Sequence, residues 1–135
     1  MLRHHENSLK VAEALSANPH VLAVHHPLLA SNASRALALA QHAGLHSGVV
    51  TIEVKGGRAC ARKALTALKV FSCAVSLGGA HSVASHPPSM SHSFLGDELC
   101  AKIGIRPGTL RLSCGLENAQ DLIRDLEQAL EASQQ

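Results

Sequence analysis

A single α/β domain, one sheet covered by helices, is the fold class that the sequence predicts, and three observations predict it. The chain has 135 residues, 46% of them hydrophobic, enough for one core and too few for two. Runs of β-branched residues alternate with Ala- and Leu-rich stretches of helical spacing. The resulting order, α-β-α-β-α-β-loop-α-β-α, suits one four-stranded sheet with helices packed on it. Pattern alone leaves parallel and antiparallel pairing open, because the connections are long enough for either.

The elements follow in order. Asn7 or Ser8 can cap a first helix on which Leu9, Ala12 and Leu15 share a face, and Asn18-Pro19 ends it. Val21 to Val24 reads as a short strand, and His25-His26-Pro27 leads into a loop through Ser31-Asn32. A second helix is expected from Ser34 to Ala43, with Gly44 to terminate it. Val49 to Val54 is the clearest strand, being β-branched nearly throughout. Gly56-Gly57 turns the chain into a third helix, Arg58 to Leu68, and Val70 to Val75 is a third strand. From Ser76 to Leu95 Gly, Ser, Pro and His dominate, and irregular structure is expected. Asp97 to Lys102 can make a short helix, Pro107-Gly108 a turn, and Thr109 to Ser113 a fourth strand. The last helix, Asn118 to Ala132, carries Leu122, Ile123, Leu126, Ala129 and Leu130 on one face, with Asn118 as its cap.

Composition excludes several function classes. Twelve basic and ten acidic residues leave a formal charge of +2, too weak and scattered for nucleic-acid binding. Aromatics are 1%, which argues against a site that stacks bases on aromatic rings. No apolar run approaches the ~20 residues of a membrane span. Cys60, Cys73, Cys100 and Cys114 form no C-x-x-C pair and lie in apolar segments, which suggests reduced thiols in a cytoplasmic protein. The loop histidines His81, His86 and His92 match no zinc spacing, and no metal site is expected. No nucleophilic triad stands out, and Cys114 reads as a buried inert thiol.

The sharpest local signal is Thr109-Leu110-Arg111-Leu112-Ser113. Leu110 and Leu112 share one strand face, and Thr109, Arg111 and Ser113 the other. An arginine in mid-strand needs an anion or open solvent. By spacing alone it is either a structural salt bridge or a carboxylate clamp, whose planar fork matches a carboxylate. Ser76-Leu77-Gly78-Gly79 is a weaker signal, a turn or a place of close backbone approach.

These motifs together resemble a known family. Ala74-Val75-Ser76-Leu77-Gly78-Gly79, then Ser85-His86-Pro87-Pro88-Ser89-Met90-Ser91-His92, resembles the "SLGG…HPASMTH" stretch of the Cys/Met-metabolism enzymes that use pyridoxal 5'-phosphate (PLP). Gly104-Ile105, then Leu110-Arg111-Leu112-Ser113-Cys114-Gly115-Leu116-Glu117, resembles their "GI…IRLSVGIE" signature. The tail from Asp121 to Leu130 is similar to their "DLI-DL-QAL" ending, and Asn18 to Val21, Pro27 and Gly48 to Thr51 to earlier landmarks. The match spans nearly the whole chain in order.

The resemblance implies residues 1–135 are the C-terminal domain of an aspartate-aminotransferase-like PLP fold. That domain has a small, mostly antiparallel four-stranded sheet with helices on one face, packed against a large PLP-binding domain. It implies a carbon–sulfur lyase of the cystathionine γ-lyase and methionine γ-lyase type, acting on a sulfur-containing amino acid, in a homo-oligomer. In the family the strand arginine, here Arg111, binds the substrate α-carboxylate. The serine of "SLG", here Ser76, lies beside it, and the preceding position, here Val75, lines the distal pocket. The family's Schiff-base lysine lies in a Ser-x-Thr-Lys context. None of Lys10, Lys55, Lys63, Lys69 or Lys102 has it, so this chain alone is not expected to bind PLP or to carry a catalytic residue.

The sequence departs from the family pattern at His81, where an acid is usual, and at His26-Pro27-Leu28-Leu29, where "YPGL" is usual. Val75 resembles methionine γ-lyases, whereas Val70-Phe71 and the double glycine look like cystathionine γ-lyases, so the substrate stays open. The alternative is a non-catalytic module that pairs with a full-length subunit. An in-frame PLP domain encoded before Met1 would favour the enzyme, and a stop codon there the module.

Overall fold

The computed structural model describes all 135 residues. Five α-helices and five strands follow one another as α1 (Leu2–Ser16), β1 (Val21–His25), α2 (Arg35–Gln41), β2 (Val49–Val54), α3 (Gly57–Ala67), β3 (Ser72–Cys73), β4 (Val83–Ser85), α4 (Gly96–Lys102), β5 (Thr109–Ser113) and α5 (Ala119–Ala132). The strands form one sheet in the order β1-β2-β5-β4-β3. Three of its pairings are antiparallel, and β3–β4 is parallel. The sheet is therefore mixed and has one strand more than the four expected.

The core lies on one face of this sheet. Val50, Ile52, Val54, Leu110 and Leu112 project towards α1, α3 and α5, where Val11, Leu15, Ala61, Ala64, Leu122, Ile123 and Leu126 meet them. Small alanines on α3 let it approach α5 closely. Burying each large aliphatic side chain contributes about 1.5–3 kcal/mol, and this one-sided layer is what holds the sheet. No helix is long and apolar enough to cross a membrane.

Three expectations change. The third strand, expected over Val70–Val75, is Ser72–Cys73, and at its start a side chain competes for the backbone. The Asp125 carboxylate, buried on α5, accepts the N–H groups of Lys69 at 2.8 Å, Val70 at 2.8 Å and Phe71 at 3.0 Å. Those three donors are unavailable to a ladder. Val83–Ser85, expected to be irregular, becomes β4, pairing with β5 through Val83↔Ser113 and Ser85↔Arg111. The first helix starts at Leu2 rather than at an Asn7 or Ser8 cap. Both residues are buried inside it and bond elsewhere: Asn7 Nδ2 donates to the carbonyls of Gly115 and Glu117, each at 2.9 Å, and Ser8 Oγ donates to Ser47 O at 2.9 Å. Asn118 does cap α5, its side chain accepting from Gln120 N–H at 2.8 Å. Cys73 is exposed, and all four cysteines are free thiols.

Candidate functional site

The candidate site sits on the sheet face opposite the helices. Alternation along β5 sends Leu110 and Leu112 into the core and Thr109, Arg111 and Ser113 to the other side. Ladder register sets a polar row across four strands on that side: His25, Thr51, Arg111 and Ser85. His25, expected in a loop, is the last residue of β1. A cavity of about 550 Å³ opens further along this face, lined by Leu22, His25, Thr51, Glu53 and Arg106 among others, with Arg106 paired to Glu53 at 3.6 Å.

Arg111 meets the segment that the motif reading singled out. Its Nη2 donates to the backbone carbonyls of Val75 and, at 3.2 Å, of Ser76. No acidic side chain lies within ion-pair distance of it; the five ion pairs of the molecule are elsewhere. The salt-bridge reading of this arginine thus has no partner here. The structure brings Arg111, Ser76 and Val75 together, but through the backbone of the latter two; both of those residues are exposed. The geometry also bears on a bidentate grip. Of the five guanidinium N–H donors, the end edge uses Nη1 with Nη2, and the side edge uses Nε with Nη2. With Nη2 serving two carbonyls, a carboxylate must take the place of one of them to be held by both nitrogens of an edge.

The segment 75–82 is held by β5 and the turn that follows it. Gly78 N–H donates to Ser113 Oγ at 2.9 Å, and Leu116 N–H to Ala80 O at 2.8 Å. Gly78 has φ +76°, a left-handed conformation that a side chain would strain. Glu117 accepts Ser82 N–H at 2.7 Å on one oxygen and Ser82 Oγ–H at 2.8 Å on the other. Burial alone would raise the Glu117 carboxyl, but the Ser82 donors, its own backbone N–H and nearby His81 outweigh that and hold it below the usual range. Glu117 stands in the quoted signature and Ser82 in the stretch expected to be irregular, and nothing in the sequence signals that the two bond each other. Ser85 Oγ, beside Arg111 in the register, is buried with no hydrogen-bond partner.

The remaining candidates are structural. His86 is buried and neutral, its pKa lowered chiefly by burial; Nε2 donates to Pro107 O at 2.8 Å and Nδ1 accepts from Ser89 Oγ at 2.6 Å. His81, His86 and His92 do not converge, and no three His, Cys, Asp or Glu side chains could hold a metal. Burial, aided by Glu117, pushes the Cys114 thiol up to about 12, which makes it unreactive. All five lysines are exposed, and none stands on β5 or on segment 75–82. The face offers a guanidinium to an anion but no lysine amine to hold PLP.

Comparison with known proteins shows the family. Residues 1–131 match the family model described as Cys/Met metabolism PLP-dependent enzyme. The chain is 45% identical over 133 residues to an L-methionine gamma-lyase of Pseudomonas putida, covering 98% of this chain and 33% of that protein. It is 40% identical over 133 residues to the cystathionine gamma-lyase of Mus musculus, covering 98% and 33%. A crystal structure described as an O-acetylhomoserine (thiol)-lyase of Campylobacter jejuni superposes with a TM-score of 0.91 at 40% identity, over 96% of this chain and 31% of that one, and carries N'-pyridoxyl-lysine-5'-monophosphate. The chain thus spans about a third of the length of the curated relatives it matches.

Proposed function

Because the chain belongs to the Cys/Met-metabolism PLP-dependent enzymes, we propose that it forms the substrate-carboxylate half of the active site of a carbon–sulfur lyase. The substrate is an L-amino acid with sulfur at Cγ, such as methionine or cystathionine. The observation that carries this reading is Arg111, which presents a permanent charge on the open sheet face, beside Val75 and Ser76 and without an acidic partner.

In this reading the partner is a PLP-binding domain, in the same polypeptide or in another subunit, that faces the open side of the sheet. PLP supplies the electron sink when bound. The chain's own residues orient the substrate. Arg111 holds the α-carboxylate at any ordinary pH, displacing the Ser76 carbonyl from Nη2, and a fixed carboxylate fixes the direction of the α-carbon bonds. Val75, exposed and uncharged, offers an apolar wall to the distal chain and no partner for the second amino group of cystathionine.

The test uses the full-length protein that carries this chain. L-Methionine and L-cystathionine are compared with 3-(methylthio)propylamine, which is methionine without its carboxylate. Thiol and α-keto acid release from an amino acid, with no turnover of the amine, is expected. Equal turnover of methionine and the amine would show that no carboxylate is being read.

A further inference from the structure

We propose that Glu117 is a positioning residue for substrate binding: through Ser82 it holds segment 75–82 in the arrangement in which Val75 and Ser76 meet Arg111. This rests on the carboxylate-clamp reading of Arg111.

Segment 75–80 is held by hydrogen bonds rather than by buried side chains. Between Val75 and Ala80 every residue is exposed except in its backbone contacts to β5 and the turn after it. Hydrogen bonds to that neighbouring strand and turn are therefore its tether. At its upstream end Arg111 meets the carbonyls of Val75 and Ser76, and midway Gly78 N–H bonds Ser113 Oγ and Ala80 O accepts Leu116 N–H. At its downstream end the tether is Ser82, which is fully buried. The Ser82 hydroxyl donates to Glu117 Oε2 at 2.8 Å and accepts Gly115 N–H at 2.8 Å, while Ser82 N–H donates to Glu117 Oε1 at 2.7 Å. One carboxylate therefore takes two bonds from one residue, and that residue accepts one from the turn. Bonds to an ionised acceptor are the strong kind.

The turn that carries Glu117 is itself rigid. Asn7, buried on α1, donates to the carbonyls of both Gly115 and Glu117. Gly115 has no room for a side chain: a Cβ there would lie 2.2 Å from Ala80 O and 2.6 Å from Glu117 Oε2. Helix, turn, Glu117 and Ser82 thus form one chain of contacts that ends on the segment facing Arg111. Releasing the downstream end leaves the segment to be ordered again each time a substrate binds, and that cost falls on KM.

The experiment uses the full-length holoenzyme with L-methionine as substrate, and compares Glu117→Ala, Glu117→Gln, Ser82→Ala and Arg111→Ala with the parent. Hydrogen exchange over residues 75–82 reports the segment, and exchange over β2 and α5 reports the fold. Glu117→Ala should speed exchange in 75–82 by about tenfold with β2 and α5 unchanged, and raise KM about tenfold with kcat within about threefold. Glu117→Gln, which keeps one acceptor oxygen, should recover part of both shifts. Ser82→Ala removes only the hydroxyl and should show the same pair of shifts, smaller, which decides the matter should Glu117→Ala fail to fold. Unchanged exchange in 75–82, faster exchange with KM unaltered, or an equal acceleration across the domain would overturn the proposal. The two readings fail separately. If Arg111→Ala leaves KM unaltered, the clamp falls and this inference with it; if Arg111→Ala raises KM and Glu117→Ala does not, only the inference falls.

Discussion

Replacing Arg111 with alanine separates binding from folding. In the folded protein the guanidinium loses its bonds to the Val75 and Ser76 carbonyls. Both residues are exposed, so water takes its place, and the net cost of such bonds is about 1 kcal/mol against a domain stability of about 5–15 kcal/mol. The loss on the substrate side is larger. A charge-assisted bond to a carboxylate contributes about 1.5–3 kcal/mol, and a fork grip somewhat more. Displacing the Ser76 carbonyl offsets about 1 kcal/mol of the fork's gain, leaving about 3 kcal/mol. At about 1.4 kcal/mol per factor of ten, kcat/KM should fall about 10²-fold in Arg111→Ala. Arg111→Lys should recover only part, because an ammonium cannot serve a carbonyl and a carboxylate in one plane. Thermal melting and steady-state kinetics on the parent and both variants make the measurement. A clearly lowered melting temperature with kcat/KM per folded molecule intact would make Arg111 a structural residue and refute the reasoning.

Three further outcomes are expected. Asp125→Ala strands the buried Phe71 N–H and loosens those of Lys69 and Val70; at about 1–3 kcal/mol for a buried orphan, stability should fall by about 3 kcal/mol in urea unfolding followed by circular dichroism, and a loss below 1 kcal/mol would dismiss this anchor. His26, fully buried, has its pKa lowered to about 4 by burial first and then by His46 and His5. The unfolded chain takes up that proton more readily, so the stability is complete above about pH 6.5 and falls between about 6.5 and 4, by at most about 3 kcal/mol. His26→Gln should flatten that slope, and an unchanged slope assigns it to other groups. Val75→Glu should raise the ratio of kcat/KM for cystathionine over methionine by supplying a charge for the distal ammonium; an unchanged or reversed ratio removes Val75 from specificity.

Much of the fold was legible because its signals are local. Val49–Val54 and Thr109–Ser113 emerge with the expected bounds, since β-branched runs and alternation need no knowledge of neighbours. Asn118 caps α5 as expected, because a cap bonds its own helix. The misses are all non-local. Asp125 lies 54 and 55 residues from the Phe71 and Val70 N–H groups that it takes out of the third strand. Val83–Ser85 looked irregular because its strand character comes from pairing with β5 and not from its composition. Asn7 and Ser8 looked like caps because their side chains suit capping, yet both reach across the molecule instead.

The candidate site divides the same way. Sequence by itself determined the family, through ordered motifs over nearly the whole chain, and marked Arg111 as a charge on the polar face of a strand. It left open what that charge meets. Only the tertiary structure decided that Arg111 touches carbonyls rather than a carboxylate side chain, that these belong to Val75 and Ser76, and that Glu117 holds the same segment through Ser82. The physical reason is distance along the chain: these partners lie 35 or 36 residues apart in sequence, and the pairing of β3 with β4 and of β4 with β5, together with the turn after β5, carries one to the other.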